Sequence, residues 1–181
     1  QVNPHFLFNS LNVLDCLICE NKNEDASLFV HKLSGMYRYM LKNEIDTLIP
    51  LRDELAFVGM YTDLLKVRFS CGFEVRTDVP EEFMSFQVVP CSIQMLVENA
   101  LKHNRVSPGN PLYIDMVAKD NRFIVTNTIS PRMASSEEST KVGLNYIRQQ
   151  YIDLSGNDIE VIDDGKTYSV SLPLLPVQKT T

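Results

Sequence analysis

The sequence predicts an α+β fold, with a helical segment over residues 1–70 followed by an α/β half built on a mixed, largely antiparallel sheet. Three observations lead there. From Phe6 to about Phe69 there is no strand-like alternation, only helical periodicity interrupted by polar breaks. After Cys71-Gly72 the texture switches to period two, with Phe73–Asp78 alternating and Pro80 ending the run. Near the C-terminal end, Asp163-Asp164-Gly165-Lys166 has the composition of a hairpin turn between two strand-like runs.

Polar breaks at Asn21–Asp25 and Asn43–Leu51 divide the first segment into three helices. The third is the most clearly marked. Leu51, Leu55, Val58, Thr62 and Leu65 fall on one face, and Asp53 and Glu54 lie in the first turn, where the helix dipole favours acids. Pro50 suits its start. Beyond the first strand, the pattern predicts a helix from about Val89 to Asn104 and strands near Leu112–Ala118 and Arg122–Asn127. A Ser/Glu-rich loop of lid-like composition then runs from Ser130 to Lys141. A helix near Val142–Leu154 and strands at Asp158–Ile162 and Thr167–Leu172 complete the expected elements. Two domains are expected, 1–70 and 71–176, with 177–181 as a frayed tail.

The composition of the 181 residues, 44% hydrophobic and 22% charged, supports a packed core. With 17 basic against 23 acidic side chains, the net charge of −6 offers no basic footprint for nucleic acid and disfavours an anionic membrane surface. No apolar run approaches the roughly 18–20 residues of a membrane helix, and no signal sequence opens the chain. Because Gln1 leads straight into a dense motif, the chain reads as an excised piece of something longer. Cys16 and Cys19 read as two small buried residues of an apolar helix rather than a redox or zinc pair, and the scattered cysteines imply a reduced, cytoplasmic setting.

The helix predicted at 89–104 carries the densest chemistry. One face collects Ile93, Leu96, Val97, Ala100 and Leu101, and the other collects Glu98, Asn99, Lys102 and His103. A carboxylate, a carboxamide, an ammonium and an imidazole on successive turns can bind magnesium through oxygen and reach phosphate through nitrogen. The same face reads equally as a solvated one with a Glu98–Lys102 pair at i, i+4, and composition does not break the tie. In the opening segment, Asn3 can cap a helix that begins at Pro4 and places His5 in its first turn, or Pro4 can kink a helix entering from upstream. A histidine beside free backbone N–H groups stays neutral and nucleophilic. A plain hydrogen-bonding role at a helix end is the commoner one. His31 has no partner motif.

The segment Gln1–Asn12, QVNPHFLFNSLN, resembles the histidine box of LytS/YehU-type sensor histidine kinases nearly residue for residue. Leu51-Arg52-Asp53-Glu54-Leu55, then Tyr61, then Val67-Arg68-Phe69, is similar to that family's second element. Val89-Pro90 followed by Leu96-Val97-Glu98-Asn99-Ala100-Leu101-Lys102-His103 resembles its N-box. The resemblance implies a helical dimerisation and phosphoacceptor region followed by a Bergerat-type (GHKL) ATP-binding sandwich. It implies that His5 accepts the γ-phosphoryl group, that Asn99 ligates magnesium, and that Glu98 polarises or deprotonates the acceptor. Lys102 and His103 would sit by the phosphates. The implied cofactors are ATP and Mg2+, and the implied partners are a second copy in a homodimer and a response regulator of the LytTR type, with no nucleic acid. The implied location is the cytoplasmic face of the cell membrane, reached only through an N-terminal sensor outside this sequence.

The resemblance has departures. Where the family carries an Asp-x-Gly element at the base-recognition strand, this chain reads Asn127-Thr128-Ile129, so the carboxylate and the close backbone approach are both replaced. Where the family carries Gly-x-Gly-Leu-x-Asn, this chain reads Lys141-Val142-Gly143-Leu144-Asn145-Tyr146. Asn127, Lys141, Gly143 and Leu144 are therefore the expected nucleotide contacts, with Lys141 supplying charge in place of a backbone contact. Two functions follow: an autophosphorylating histidine kinase feeding a phosphorelay, or a kinase-like dimer that has lost tight nucleotide binding and docks a partner. Survival of His5, Glu98 and Asn99 favours the first. A GHKL ATPase of another kind would have no use for the opening histidine motif.

Overall fold

The computed structural model describes residues 4–43, 48–68, 72–130 and 137–177, and the three expected helices come first. They are α1 (Pro4–Cys19), α2 (Asn23–Asn43) and α3 (Leu51–Arg68). Pro4 opens α1, where a missing N–H costs nothing. Along α1, Ser10, Val13, Leu14 and Leu17 recur at helical steps and turn inward. They meet α2, whose Ala26, Phe29, Leu33 and Met36 form a matching buried stripe. Cys16 and Cys19, expected to be buried, are instead exposed free thiols, because the inward face of α1 is already taken by those four residues. In α3, Phe57, Tyr61 and Leu64 are buried together with the expected Leu51, Val58 and Leu65, so this helix is covered on more than one side.

The second half contains β2 (Phe73–Asp78), β4 (Leu112–Lys119), β5 (Arg122–Thr128), β6 (Glu160–Asp163) and β7 (Thr167–Pro173) in one sheet, ordered β2-β4-β5-β7-β6. Only the β2–β4 pair is parallel, so the α+β class with a largely antiparallel mixed sheet holds. Leu112, Ile114, Met116 and Ala118 alternate into the core along β4, as do Phe123 and Val125 along β5. Against these pack α4 (Ser92–His103) and, beside it, α5 (Glu137–Ser155). The β6–β7 turn is formed as expected: Asp163 and Asp164 accept backbone N–H groups of the turn, and Gly165 takes φ 78, a conformation glycine adopts without strain.

Several boundaries differ from expectation. α4 starts at Ser92 rather than Val89, because Cys91 adopts a left-handed φ of 60 that no helix continues through. α5 starts at Glu137, so residues 137–141 of the expected loop are helical; polar composition reads alike for a loop and for a first helical turn. Residues 131–136 and 178–181 lie outside the described residues. Pro50 belongs to a short strand, β1 (Ile49–Pro50), which pairs with β3 (Gln87–Val88) through Ile49↔Val88 and ties the start of α3 to the second half. Two-residue strands carry no readable periodicity. No described helix is long and apolar enough to cross a membrane.

Candidate functional site

Strand register builds the floor of the site. Ile114 on β4 pairs with Asn127 on β5, Asn127 with Tyr168 on β7, and Tyr168 with Asp163 on β6, which makes one row across the sheet. The next inward row runs Met116, Val125, Val170 and Val161. Residues directly opposite in a ladder share a face, so both rows point to the side on which α4 packs. Between them and the helices lies a cleft of about 220 Å³. Leu96, Ala100, Val125, Ile129, Leu144 and Val170 make its walls apolar, while Asn99, His103, Asn104, Asn127, Asp163 and Tyr168 supply polar groups. That volume lies below the roughly 300–1,000 Å³ of pockets that engulf whole ligands, so it suits one ring system with the rest of a ligand outside.

α4 divides as its sequence predicted. Ile93, Leu96, Val97, Ala100 and Leu101 are buried, and the polar face reaches the cleft through Asn99 and His103. Glu98 is half-buried and accepts a hydrogen bond from the Gln94 side-chain amide at 2.8 Å, one turn back. Lys102 is exposed in the last turn, where a cation suits the helix dipole. The C-terminal end of α4 is closed by buried Asn104. Its amide donates to the Ala100 carbonyl at 2.8 Å and its oxygen accepts from the Ser130 N–H at 2.6 Å, which joins the helix end to the segment after β5.

Asn127 is buried at the cleft floor, and its side-chain N–H donates to the Thr128 carbonyl at 2.8 Å. The carboxamide oxygen is the acceptor of this side chain. Ile129 lines the cleft, with its N–H bonded to the Lys166 carbonyl at 2.8 Å. Burial, with the Asp163 charge beside it, raises the Tyr168 hydroxyl above its ordinary range. A Cβ placed on Gly143 would sit 3.5 Å from Met95 Cε and 3.9 Å from Asn99 Nδ2, so α5 passes close over the polar face of α4.

Of the residues singled out by sequence, Asn99, His103, Asn127 and Leu144 come together around this cleft, with Gly143 next to Asn99. Glu98 and Lys102 share the helix but are not among the lining residues. His5 and Lys141 fall in α1 and α5, and their side chains lie outside the described residues. Asp163 and Tyr168 were missed: one read as a turn residue and the other as a strand residue, and only the register of β5, β7 and β6 sets them beside Asn127. For magnesium, Asn99 offers a single side-chain oxygen at the cleft, and among the described residues no group of three acidic, His or Cys ligands is assembled. That fits an ion held by one or two protein ligands together with phosphate oxygens and water.

A family model described as histidine kinase matches residues 1–73. The sensor protein LytS of Enterococcus faecalis is 29% identical over 93% of the chain, and LytS of Bacillus cereus is 40% identical over 57%. These alignments take in 32% and 17% of the two relatives, so the chain spans a third or less of their length. Among solved structures, the catalytic domain of histidine kinase ThkA superposes with a TM-score of 0.52 at 16% identity, covering 71% of this chain and 97% of that one. This likeness is one of fold.

Proposed function

We propose, for a chain that belongs to the LytS-type sensor histidine kinases, that it binds Mg-ATP in the α4–sheet cleft and autophosphorylates on His5. The observation that carries the reading is Asn99, at the cleft on α4, facing a floor that holds Asn127. The base enters the apolar part between Leu96, Ile129 and Leu144, and the Asn127 carboxamide oxygen accepts its amino hydrogen. Asn99 ligates magnesium, with His103, Lys102 and Lys141 contributing to phosphate binding. Glu98, oriented by Gln94, hydrogen-bonds one imidazole nitrogen of His5 and accepts its proton. The other nitrogen forms the N–P bond as the bond to the ADP oxygen breaks. Such chemistry rests on positioning and charge neutralisation.

The reading extends to the rest of the relay. Residues 1–70 serve as the phosphoacceptor and dimerisation region and 71–176 as the nucleotide domain, at the cytoplasmic face of a membrane. The phosphoryl group passes to an aspartate of a response regulator of the LytTR type. Dimerisation is supported by α1, where Phe8, Leu11 and Ile18 are exposed at heptad-like spacing on the side away from α2. Calorimetry of ATP binding with and without magnesium tests the core of this reading. Micromolar, magnesium-dependent affinity that Asn99→Ala abolishes is expected. No binding at millimolar ATP would overturn it and favour a non-enzymatic docking module.

A further inference from the structure

The carboxylate of Glu54 on α3 is completely buried, yet it belongs to none of the groups assigned above. Its Oε2 accepts from the Tyr39 hydroxyl of α2 at 2.7 Å and from the Cys91 N–H at 3.0 Å. Its Oε1 accepts from the Ile93 N–H at 3.1 Å, and the Gln94 N–H, next in the same turn, adds to the pull on its charge. These are the orphan donors of the first turn of α4. They need an outside acceptor, because Cys91 at the N-cap is in the left-handed region and makes no side-chain cap. Glu54 is thus the N-cap of α4, supplied from a different helix, and a carboxylate also suits the positive end of the helix dipole.

What makes this more than a structural cap is where α4 leads. Gln94 stands between two carboxylates: it directly follows Ile93, whose N–H bonds to Glu54 Oε1, and its own side chain holds Glu98 at 2.8 Å. Asn99 follows one residue later. We propose that Glu54 is a positioning residue for the phosphoryl-transfer face: it sets α4, and with it Glu98 and Asn99, against α3. Tyr39 makes that setting depend on how α2 lies on α3. A shift of α2 that withdrew the Tyr39 hydroxyl would remove one of the donors on Glu54 and loosen the cap, so the helical region and the nucleotide cleft are coupled through one buried carboxylate. The roles of Glu98 and Asn99 rest on the function proposed above, whereas the cap does not.

The test uses the full chain with Glu54→Gln and Tyr39→Phe, at pH 8 or above, where the Glu54 carboxylate is ionised. A glutamine amide placed at either oxygen position faces a backbone N–H, donor against donor, so one amide of the first turn of α4 loses its acceptor whichever way the side chain turns. Hydrogen exchange at Cys91 or Ile93, whichever faces the glutamine amide, is expected to quicken at least about tenfold in Glu54→Gln, and less in Tyr39→Phe. The Asn99 side-chain amide resonance is expected to move in both variants, more in the first, and the dissociation constant for Mg-ATP to rise severalfold in the same order. Faster exchange with an unmoved Asn99 resonance would show a cap that is structural only and would overturn the proposal. Unchanged exchange would overturn it too. If the unmodified chain binds no Mg-ATP, the function proposed above fails, and the Asn99 resonance still decides the positioning role. Should Glu54→Gln not fold, Tyr39→Phe, which removes one hydroxyl, carries the same readouts.

Discussion

Gln94 and Glu98 stand one turn apart on α4 and are joined by a 2.8 Å hydrogen bond from the carboxamide of the first to Oε2 of the second. Gln94 is itself buried, so this bond orients the carboxylate from beneath. Replacing Gln94 with Leu keeps the bulk and removes the donor. If Glu98 is the general base proposed above, autophosphorylation is expected to slow about tenfold while Mg-ATP affinity stays within about twofold, since an orienting contact to that carboxylate is lost and the cleft is not. Radiolabel incorporation beside calorimetry checks the split; an equal loss in both would mean that Gln94 supports the helix rather than Glu98.

Burial raises the Glu54 carboxyl to about 7, against an ordinary value of 4.5, and the hydrogen bonds from Tyr39, Cys91, Ile93 and Gln94 pull it back only in part. A folded-state value above the unfolded one means that the folded chain holds the proton more tightly. The associated stability is fully present below about pH 4.5 and is lost as pH rises through about 7. A gap of that size corresponds to about 3 kcal/mol. Thermal melts are expected to show a falling Tm between pH 5 and pH 8 that Glu54→Gln flattens. Parallel slopes in the two proteins would assign the titration elsewhere.

Gly143 lies in α5 with ordinary van der Waals space for a Cβ beside Met95 and Asn99. Gly143→Ala is therefore expected to stabilise the fold by about 0.5–1 kcal/mol through helix propensity, with Mg-ATP affinity unchanged. Gly143→Leu would press on Asn99 Nδ2 and weaken that affinity. Denaturant melts and calorimetry separate the two effects, and a destabilised Ala variant would show that α5 is held closer to α4 than the geometry allows.

On α1, Ile18→Lys places a charge within the exposed apolar row of Phe8, Leu11 and Ile18. Light scattering on eluted fractions is expected to show a dimer in the unmodified chain and a monomer in the variant, with dimer affinity reduced at least about tenfold. A variant that remains dimeric would move the interface off this face.

Residues whose roles depend on near neighbours in the chain were legible. The three N-terminal helices, the β2 strand and the division of α4 into an apolar and a polar face all follow from periods of 3.6 or 2. Asn99 and His103 could be set side by side from spacing alone. Cys16 and Cys19 show the limit of that reading: an apolar helix has two sides, and which one meets α2 was settled by Val13, Leu14 and Leu17.

By itself the sequence determined, among the described residues, the type and order of the five helices and of the five strands of the main sheet, and the polar residues of α4, because each of these is written within one or two turns of chain. Tertiary structure alone decided that Asn127, Tyr168 and Asp163 form one row, since register is a relation between strands far apart in the chain. It also decided what Glu54 does. In sequence Glu54 is an ordinary first-turn acid of its own helix; in the fold its side chain satisfies the backbone of another, because burial left those N–H groups no water to bond.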